Sequence, residues 1–160
     1  MKFTASIISM AVLFLVGCGQ GRQDNKREAM QITCVNNLKQ IGLSLKVWAG
    51  DHGDQMPFNV STNAGGTLEL CDRDKVGFDH NSFLHFQVAS NEFYSPRVLI
   101  CPQDRSKTAA MAWGDIGISN VTYLLRTGVK ATNANSREIL TVCPIDGNII
   151  YYDGSVQEKK

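Results

Sequence analysis

The chain has 160 residues, with 16 lysines and arginines against 15 aspartates and glutamates, and 43% of its residues are hydrophobic. A charge balance so close to neutral argues against a nucleic-acid partner, because binding to phosphates requires a concentrated basic face. The length corresponds to a single domain that is large enough to bury a hydrophobic core.

The first residues have the features of an export signal. Lys2 is followed by a mostly apolar stretch, 3–16, which is too short for a comfortable membrane-spanning helix and has the length of a signal-peptide core. The stretch ends in Leu-Val-Gly-Cys at 15–18, which resembles the lipobox of bacterial lipoproteins. That resemblance implies that residues 1–17 are removed and that Cys18 carries the lipid. An ordinary secretory signal and an uncleaved anchor are the alternatives.

A lipid on Cys18 would make the membrane a partner of this protein. Acyl chains bind membranes through their buried methylene groups, and stable anchoring needs more than one chain. The next residue is Gly19 rather than the aspartate that retains lipoproteins at the inner membrane. We therefore expect a cell-envelope protein anchored in the outer membrane, where the host has one, and facing the periplasm or the exterior.

Two segments are predicted after the lipidation site. Residues 18–25 are polar and glycine-rich, which predicts a short lipidated tether that is flexible. In residues 26–49, apolar side chains recur at spacings of four and three, which predicts an amphipathic helix with one buried face. That face is formed by Cys34, Leu38, Ile41, Leu45 and Trp48. Gly50 and Pro57 mark the end of the helix.

The remainder of the chain is rich in short apolar runs. These predict a strand at 65–71, a helix at 81–89, strands at 97–101, 119–126 and 138–143, and a closing hairpin at 148–158 that turns at Asp153-Gly154. The predicted fold is α+β, with one N-terminal amphipathic helix packed on a small antiparallel sheet. Residues 26–160 are expected to form this single globular domain.

Three motifs stand out along this domain. They are Cys-Val-Asn-Asn-Leu-Lys-Gln-Ile-Gly at 34–42, Cys-Pro-Gln-Asp at 101–104, and Cys-Pro-Ile-Asp-Gly-Asn followed by Asp-Gly-Ser-Val at 143–156. Together they resemble the pseudopilin-like proteins related to type II secretion, which are often labelled prepilin-type cleavage/methylation proteins. The resemblance implies a pilin-like head with a structural role in export or surface assembly.

The N-terminus and the last motif depart from that family. The lipobox occupies the place of the prepilin peptidase site and of the long apolar helix, and the histidine that is usual in the last Cys-Pro motif is Asp146 here. The resemblance therefore implies a pseudopilin-like head held by a lipid rather than a subunit that polymerises.

The Cys-Pro-x-Asp motif occurs twice and indicates a disulfide cross-link. Without Cys18, the chain keeps an even number of cysteines, Cys34, Cys71, Cys101 and Cys143, which predicts disulfides in an exported protein. Cys101 and Cys143 both end apolar runs, so we predict that they bond to each other. Asp104 and Asp146 would then cap turns. Two alternatives are a redox centre and a structural zinc site formed by Cys101, Cys143, Asp104 and Asp146. The lack of a second cysteine in either motif disfavours both.

Two further kinds of site follow from the same region of the chain. Major pseudopilins hold calcium near their C-terminal loops, and the resemblance therefore implies Asp146, Asn148 and Asp153 as oxygen donors for that ion. No other cofactor is expected.

Catalytic motifs are lacking. The chain has no Gly-x-Ser-x-Gly, no His-Glu-x-x-His and no phosphate-binding loop, so we expect that it is not an enzyme. His52, His80 and His85 are then surface or core residues. The predicted function is that of a lipid-anchored envelope protein, with a structural or assembly role. A lipoprotein that binds calcium or a saccharide, and an unrecognised hydrolase, are the alternatives.

Overall fold

A single long helix, α1, runs from Ala5 to Gly50 and leads into the rest of the chain. The computed structural model describes residues 5–128 and 137–159, and within these ranges it describes side chains from residue 22 onward. A short helix, α2, spans Ser82–Val88. Four strands follow: β1 Leu124–Leu125, β2 Ile139–Val142, β3 Ile149–Tyr151 and β4 Val156–Gln157. The predicted α+β class is confirmed.

The continuity of α1 corrects one prediction. Residues 18–25, expected to form a flexible tether, are helical. A glycine in a helix costs about 1 kcal/mol relative to alanine. Extension of an existing helix is nevertheless favourable, because each added residue gains a backbone hydrogen bond without a new nucleation event. No helix among the described residues combines the length and the apolar character that crossing a membrane requires.

The C-terminal part of α1 is embedded in the head, by which we mean the described part of residues 30–159. The five residues predicted for the buried face are each at most 6% exposed: Cys34, Leu38, Ile41, Leu45 and Trp48. Gly42 lies directly against β3, since a Cβ atom at this position would overlap the side chain of Ile150. The predicted amphipathic helix packed on the sheet is confirmed.

The sheet is an antiparallel meander in the order β1-β2-β3-β4. Leu124 pairs with Val142, and Ile150 lies between Thr141 and Val156. β2 lies within the predicted strand 138–143. The strand predicted at 119–126 is shorter: the sheet includes only β1 from this segment, Ile118–Asn120 form a 3-10 turn, and Arg126 makes an isolated bridge with Phe78.

Two other predicted strands are 3-10 turns. The apolar run 97–101 begins with the turn Pro96–Leu99, and the run 65–71 contains the turn Leu68–Leu70. Proline at a first helical position has its φ angle preset, and the Ser95 hydroxyl accepts a hydrogen bond from the Arg97 N–H at 3.3 Å. Apolar composition alone does not separate such a turn from a strand.

The closing hairpin is confirmed, with a longer turn than expected. Gly154 has a φ angle of +89°, whereas Asp153 is not among the residues with positive φ. The Gly154 N–H donates to the Tyr151 carbonyl at 2.9 Å, and the Tyr151 N–H donates to the Ser155 carbonyl at 3.0 Å. A single left-handed glycine after an ordinary turn therefore reverses the chain.

Candidate functional site

The two Cys-Pro loops are held in place by hydrogen bonds that their backbone groups make. The Cys101 N–H donates to the Thr122 hydroxyl at 3.2 Å. The Cys143 N–H donates to the Asn148 carbonyl at 2.8 Å, and the Gly147 N–H donates to the Cys143 carbonyl at 2.8 Å. Each cysteine is thus fixed at the point where its chain segment turns.

Asp146 connects the two loops. Its Oδ2 atom accepts a hydrogen bond from the Cys101 thiol at 3.3 Å, and its Oδ1 atom accepts one from the Gln103 side chain at 2.5 Å. Its own backbone N–H donates to the Cys143 sulfur at 3.4 Å. One residue therefore contacts both cysteines of the repeated motif.

Cys34 on α1 is a third cysteine at the same place. The sulfur atoms of Cys34, Cys101 and Cys143 and a carboxylate oxygen of Asp146 all lie within 4.8 Å of one another. We call these four residues the thiol cluster. Its cysteines are fully buried, and Asp146 is half-buried.

Asn37, one turn along α1 from Cys34, ties the helix to the segment before Cys101. Its side-chain amide donates to the Ile100 carbonyl at 3.0 Å and to the Tyr123 hydroxyl at 3.3 Å. The relative position of α1 and the first Cys-Pro loop is thereby fixed next to the thiol cluster.

The thiols affect one another electrostatically. Hydrogen bonds from the thiols of Cys101 and Cys34 lower the pKa of Cys143, and backbone N–H groups add to this effect. Hydrogen bonds with Cys101 and Cys143, together with burial, raise the pKa of Cys34. The hydrogen bond with Cys143 and burial raise the pKa of Cys101, against the hydrogen bond with Cys34, which lowers it. The arrangement favours a thiolate on Cys143 that receives hydrogen bonds from its neighbours.

The aspartates of the repeated motif differ in their roles. Asp104 caps a turn as predicted, since its Oδ1 atom accepts from the Ser106 N–H at 2.9 Å and its Oδ2 atom accepts from the Thr122 hydroxyl at 2.8 Å. Asp146 was expected to do the same, but its carboxylate turns to Cys101 and Gln103 instead. The sequence repeat is therefore not a functional repeat.

The cysteines do not form the two pairs that an even number suggested. Cys34, Cys101 and Cys143 lie together, whereas the thiol of Cys71 donates to the carbonyls of Phe58 and Thr67, both at 3.7 Å. All four described cysteines are free thiols, and no two of their sulfurs are at bonding distance. The Cys101–Cys143 disulfide stays a prediction.

A second polar group is buried around His85. The Thr67 hydroxyl lies 2.7 Å from Nδ1 of His85, and Asp79 Oδ2 lies 3.2 Å from its Nε2, without the alignment of a hydrogen bond. The Thr127 hydroxyl donates to Asp79 at 2.8 Å and accepts from the Arg73 guanidinium at 2.7 Å. We call these five residues the His85 network.

Burial and hydrogen bonding set the charge states in the His85 network. Burial lowers the pKa of His85, against the attraction of the Asp79 carboxylate, so the imidazole is neutral near pH 7. Burial alone would raise the pKa of Asp79, but hydrogen bonds from the Asp72 N–H, the Thr127 hydroxyl and the Asn81 N–H lower it overall. Cys71 lies within 4.8 Å of both side chains.

The residues expected to bind calcium have separate partners. Asn148 Oδ1 accepts from the Lys159 N–H at 3.0 Å, and Asp153 Oδ1 accepts from the Ser155 N–H at 2.7 Å. Asp146 belongs to the thiol cluster. Calcium binding by these three residues stays a prediction.

The other two histidines belong to neither group. His52 stacks on Trp48 with ring centroids 3.6 Å apart, and His80 is exposed. A shallow groove of about 540 Å³ lies between α1 and the segment 94–109, and its described lining includes Asn37, Tyr94 and Arg97 but no histidine, cysteine or carboxylate.

Comparisons of the chain with protein families, with curated proteins and with solved structures found no match. The geometry of the described residues therefore carries the functional argument.

Sequence reasoning missed two members of this site. Cys34 was placed on the apolar stripe of α1 and counted among the disulfide candidates, but it was not expected beside both Cys101 and Cys143. Gln103 occupies the variable position of its Cys-Pro-x-Asp motif and contacts Asp146. The one available signal was a third cysteine next to a polar motif, Asn-Asn-Leu-Lys-Gln, on an otherwise amphipathic helix.

Proposed function

We propose that this is a lipid-anchored cell-envelope protein whose pilin-like head has a structural role in export or surface assembly. The observation that supports this function is the continuity of α1, which joins the predicted lipidation site at Cys18 to the buried stripe of the head. Residues 22–29 of the helix are exposed, so this part of α1 extends from the head and separates it from the anchored end. An exposed helix of this kind suits the display of a head above a membrane.

The solvent side of α1 supports an assembly role. Ile32, Leu43 and Val47 are large apolar side chains that are 57%, 64% and 46% exposed. Their spacings of eleven and four residues place them along one stripe of a helix with 3.6 residues per turn. Such a stripe on the face opposite the head is available to another subunit of an envelope assembly.

The anchor is tested by metabolic labelling with a fatty-acid probe in a bacterium that processes lipoproteins. The intact chain should be labelled and recovered with membranes, and Cys18→Ala should abolish both the label and the cleavage by the lipoprotein route. Cys71→Ala is the matched control and should keep the label. Undiminished labelling of Cys18→Ala would contradict the anchor.

The assembly role is tested by native electrophoresis of the detergent-extracted protein. We expect a complex larger than one chain, which Leu43→Lys combined with Val47→Lys should reduce to the single chain without lowering its melting temperature. Met111→Lys replaces another exposed apolar residue, 90% exposed and outside α1, and should leave the complex intact. A single chain in the unaltered protein would contradict an assembly role.

A further inference from the structure

We propose that the thiol cluster is a structural metal site that binds one Zn²⁺ ion through the sulfurs of Cys34, Cys101 and Cys143 and a carboxylate oxygen of Asp146. This inference goes beyond the proposed function and does not depend on it. It rests on where four side chains meet in the head.

The spacing of the four ligand atoms suits a tetrahedral ion. Zinc binds sulfur at about 2.3 Å, which puts the sulfurs of a tetrahedral site about 3.8 Å apart. The four atoms here all lie within 4.8 Å of one another, so a small inward rotation of the side chains closes the site.

The type of ligand selects the metal. Thiolates disfavour Mg²⁺ and Ca²⁺, which bind oxygen, and a carboxylate among the ligands disfavours Cu⁺. Three sulfurs and one oxygen, with no position left for substrate or water, match structural rather than catalytic zinc. Asp146 is only half-buried, so an ion can reach the three buried cysteines from the side of the cluster where Asp146 lies.

The ligands come from three separate segments of the chain. Cys34 lies on α1, Cys101 follows the turn Pro96–Leu99, and Cys143 and Asp146 follow β2. An ion held by all three segments would join the helix to both Cys-Pro loops. Structural zinc sites stabilise small domains through cross-links of this kind.

Neighbouring groups already orient the ligands. The Asp146 N–H donates to the Cys143 sulfur at 3.4 Å, and Gln103 donates to the carboxylate oxygen Oδ1 at 2.5 Å, which leaves Oδ2 directed at Cys101. Such outer partners hold metal ligands in position and offset their negative charge. Among the described residues, no lysine or arginine forms an ion pair with Asp146 that a metal ion would have to displace.

The direct test is titration of the reduced full-length protein, in detergent and without oxygen, with Co²⁺ as a spectroscopic substitute for Zn²⁺. We expect one equivalent to produce the visible bands of a tetrahedral site and an ultraviolet thiolate-to-cobalt band. One equivalent of Zn²⁺ should then remove both. Absence of these bands would overturn the proposal.

Variants locate the ion within the chain. Cys34→Ser and Cys143→Ser each remove one of three thiolates and should weaken or abolish the thiolate-to-cobalt band, whereas Cys71→Ser should retain it in full. Bands that persist unchanged in Cys34→Ser would overturn the proposed ligand set.

The two Cys-Pro-x-Asp aspartates form a matched pair that does not depend on the folding of the cysteine variants. Asp146→Asn should raise the dissociation constant by at least the roughly 10–100-fold that loss of an outer partner costs. Asp104→Asn should raise it much less, because this carboxylate is not a ligand and reaches Cys101 only through the Thr122 hydroxyl. Equal affinities of the two variants would overturn the role of Asp146.

Discussion

The thiol cluster and the His85 network lie in the same head, and each is part of a group of potential metal ligands within 4.8 Å of one another, which at the His85 network is completed by Cys71. In the His85 network, Asp79 accepts three hydrogen bonds, from Asp72, Asn81 and Thr127, and the ring of His85 lies between a hydroxyl and this carboxylate. In the thiol cluster, the three sulfurs have mainly one another and a single carboxylate as partners.

The two groups differ in how many of the hydrogen bonds that their buried side chains require are supplied by other protein groups. Buried carboxylates and imidazoles need hydrogen bonds, and a network that supplies them is complete without an ion. Thiols are weak donors and acceptors, so a group of three gains little from mutual hydrogen bonds and much from a shared cation. Proximity of ligand residues alone would have assigned metal to both places.

The largest predicted effect separates the two regions by their response to zinc. Binding to the folded state at a free Zn²⁺ concentration of about 1,000 times the dissociation constant should raise the free energy of unfolding by about 4 kcal/mol. Chemical denaturation of the reduced protein, with zinc and then with a chelator, measures this difference. Asp146→Asn should reduce the effect, and Cys71→Ser, next to His85, should not.

A zinc effect that survives Cys34→Ser but disappears in His85→Gln would reverse the comparison. The ion would then belong to the His85 network.

The next prediction concerns the buried stripe that carries Cys34 to the cluster. Leu38→Ala and Ile41→Ala should each cost about 2–5 kcal/mol, because they remove buried apolar contacts and leave a cavity. Leu43→Ala and Lys39→Ala change exposed positions on the same helix and should each cost less than about 0.5 kcal/mol. Denaturation with a chelator present measures these costs without the metal. Similar costs for all four variants would contradict the assigned faces of α1.

The smallest predicted effect is the pH dependence that His85 adds to the stability of the head. The pKa of His85 is lower in the folded state than in the unfolded chain, so the unfolded state binds the proton first as the pH falls. The stability contribution of the neutral ring is complete above the unfolded pKa of about 6.5 and is lost below it, with a slope of at most about 1.4 kcal/mol per pH unit. The charged groups that act on the ring are Asp79, which opposes the shift, and Arg73, which adds to it.

Denaturation with a chelator present, from about pH 7.5 to about pH 5.5, removes the contribution of zinc binding. The difference between the unaltered protein and His85→Gln then separates the ring from the Cys143 thiol, whose lowered pKa acts in the same direction. His85→Gln should flatten the slope, and His80→Gln, an exposed control, should not. An unchanged slope in His85→Gln would contradict a buried neutral imidazole.

The sequence predicted the parts of the fold that depend on local patterns. The α1 stripe, α2, β2 and the closing hairpin follow from spacing, apolar runs and a turn glycine. The strand predicted at 97–101 was wrong, because the apolar residues there fit a turn as well as a strand. Pro96 and Ser95 before them favour the turn.

The thiol cluster was harder to predict from the sequence, because it depends on contacts between distant segments. Cys34 fitted the stripe and was one of four disulfide candidates, but nothing local indicated that it meets both Cys101 and Cys143. Spacing of cysteines does not determine their pairing. The identical Cys-Pro-x-Asp motifs even suggested equal roles for Asp104 and Asp146, which the fold separates.

The measurement that tests the thiol cluster most directly is native mass spectrometry of the exported protein, purified from membranes without reductant or chelator. The zinc account predicts one Zn²⁺ per chain, and cysteines 34, 101 and 143 that react with an alkylating reagent only after the metal is removed. A metal-free chain that is lighter by two hydrogens, with a linked peptide pair containing Cys101 and Cys143, would contradict it and establish the disulfide instead.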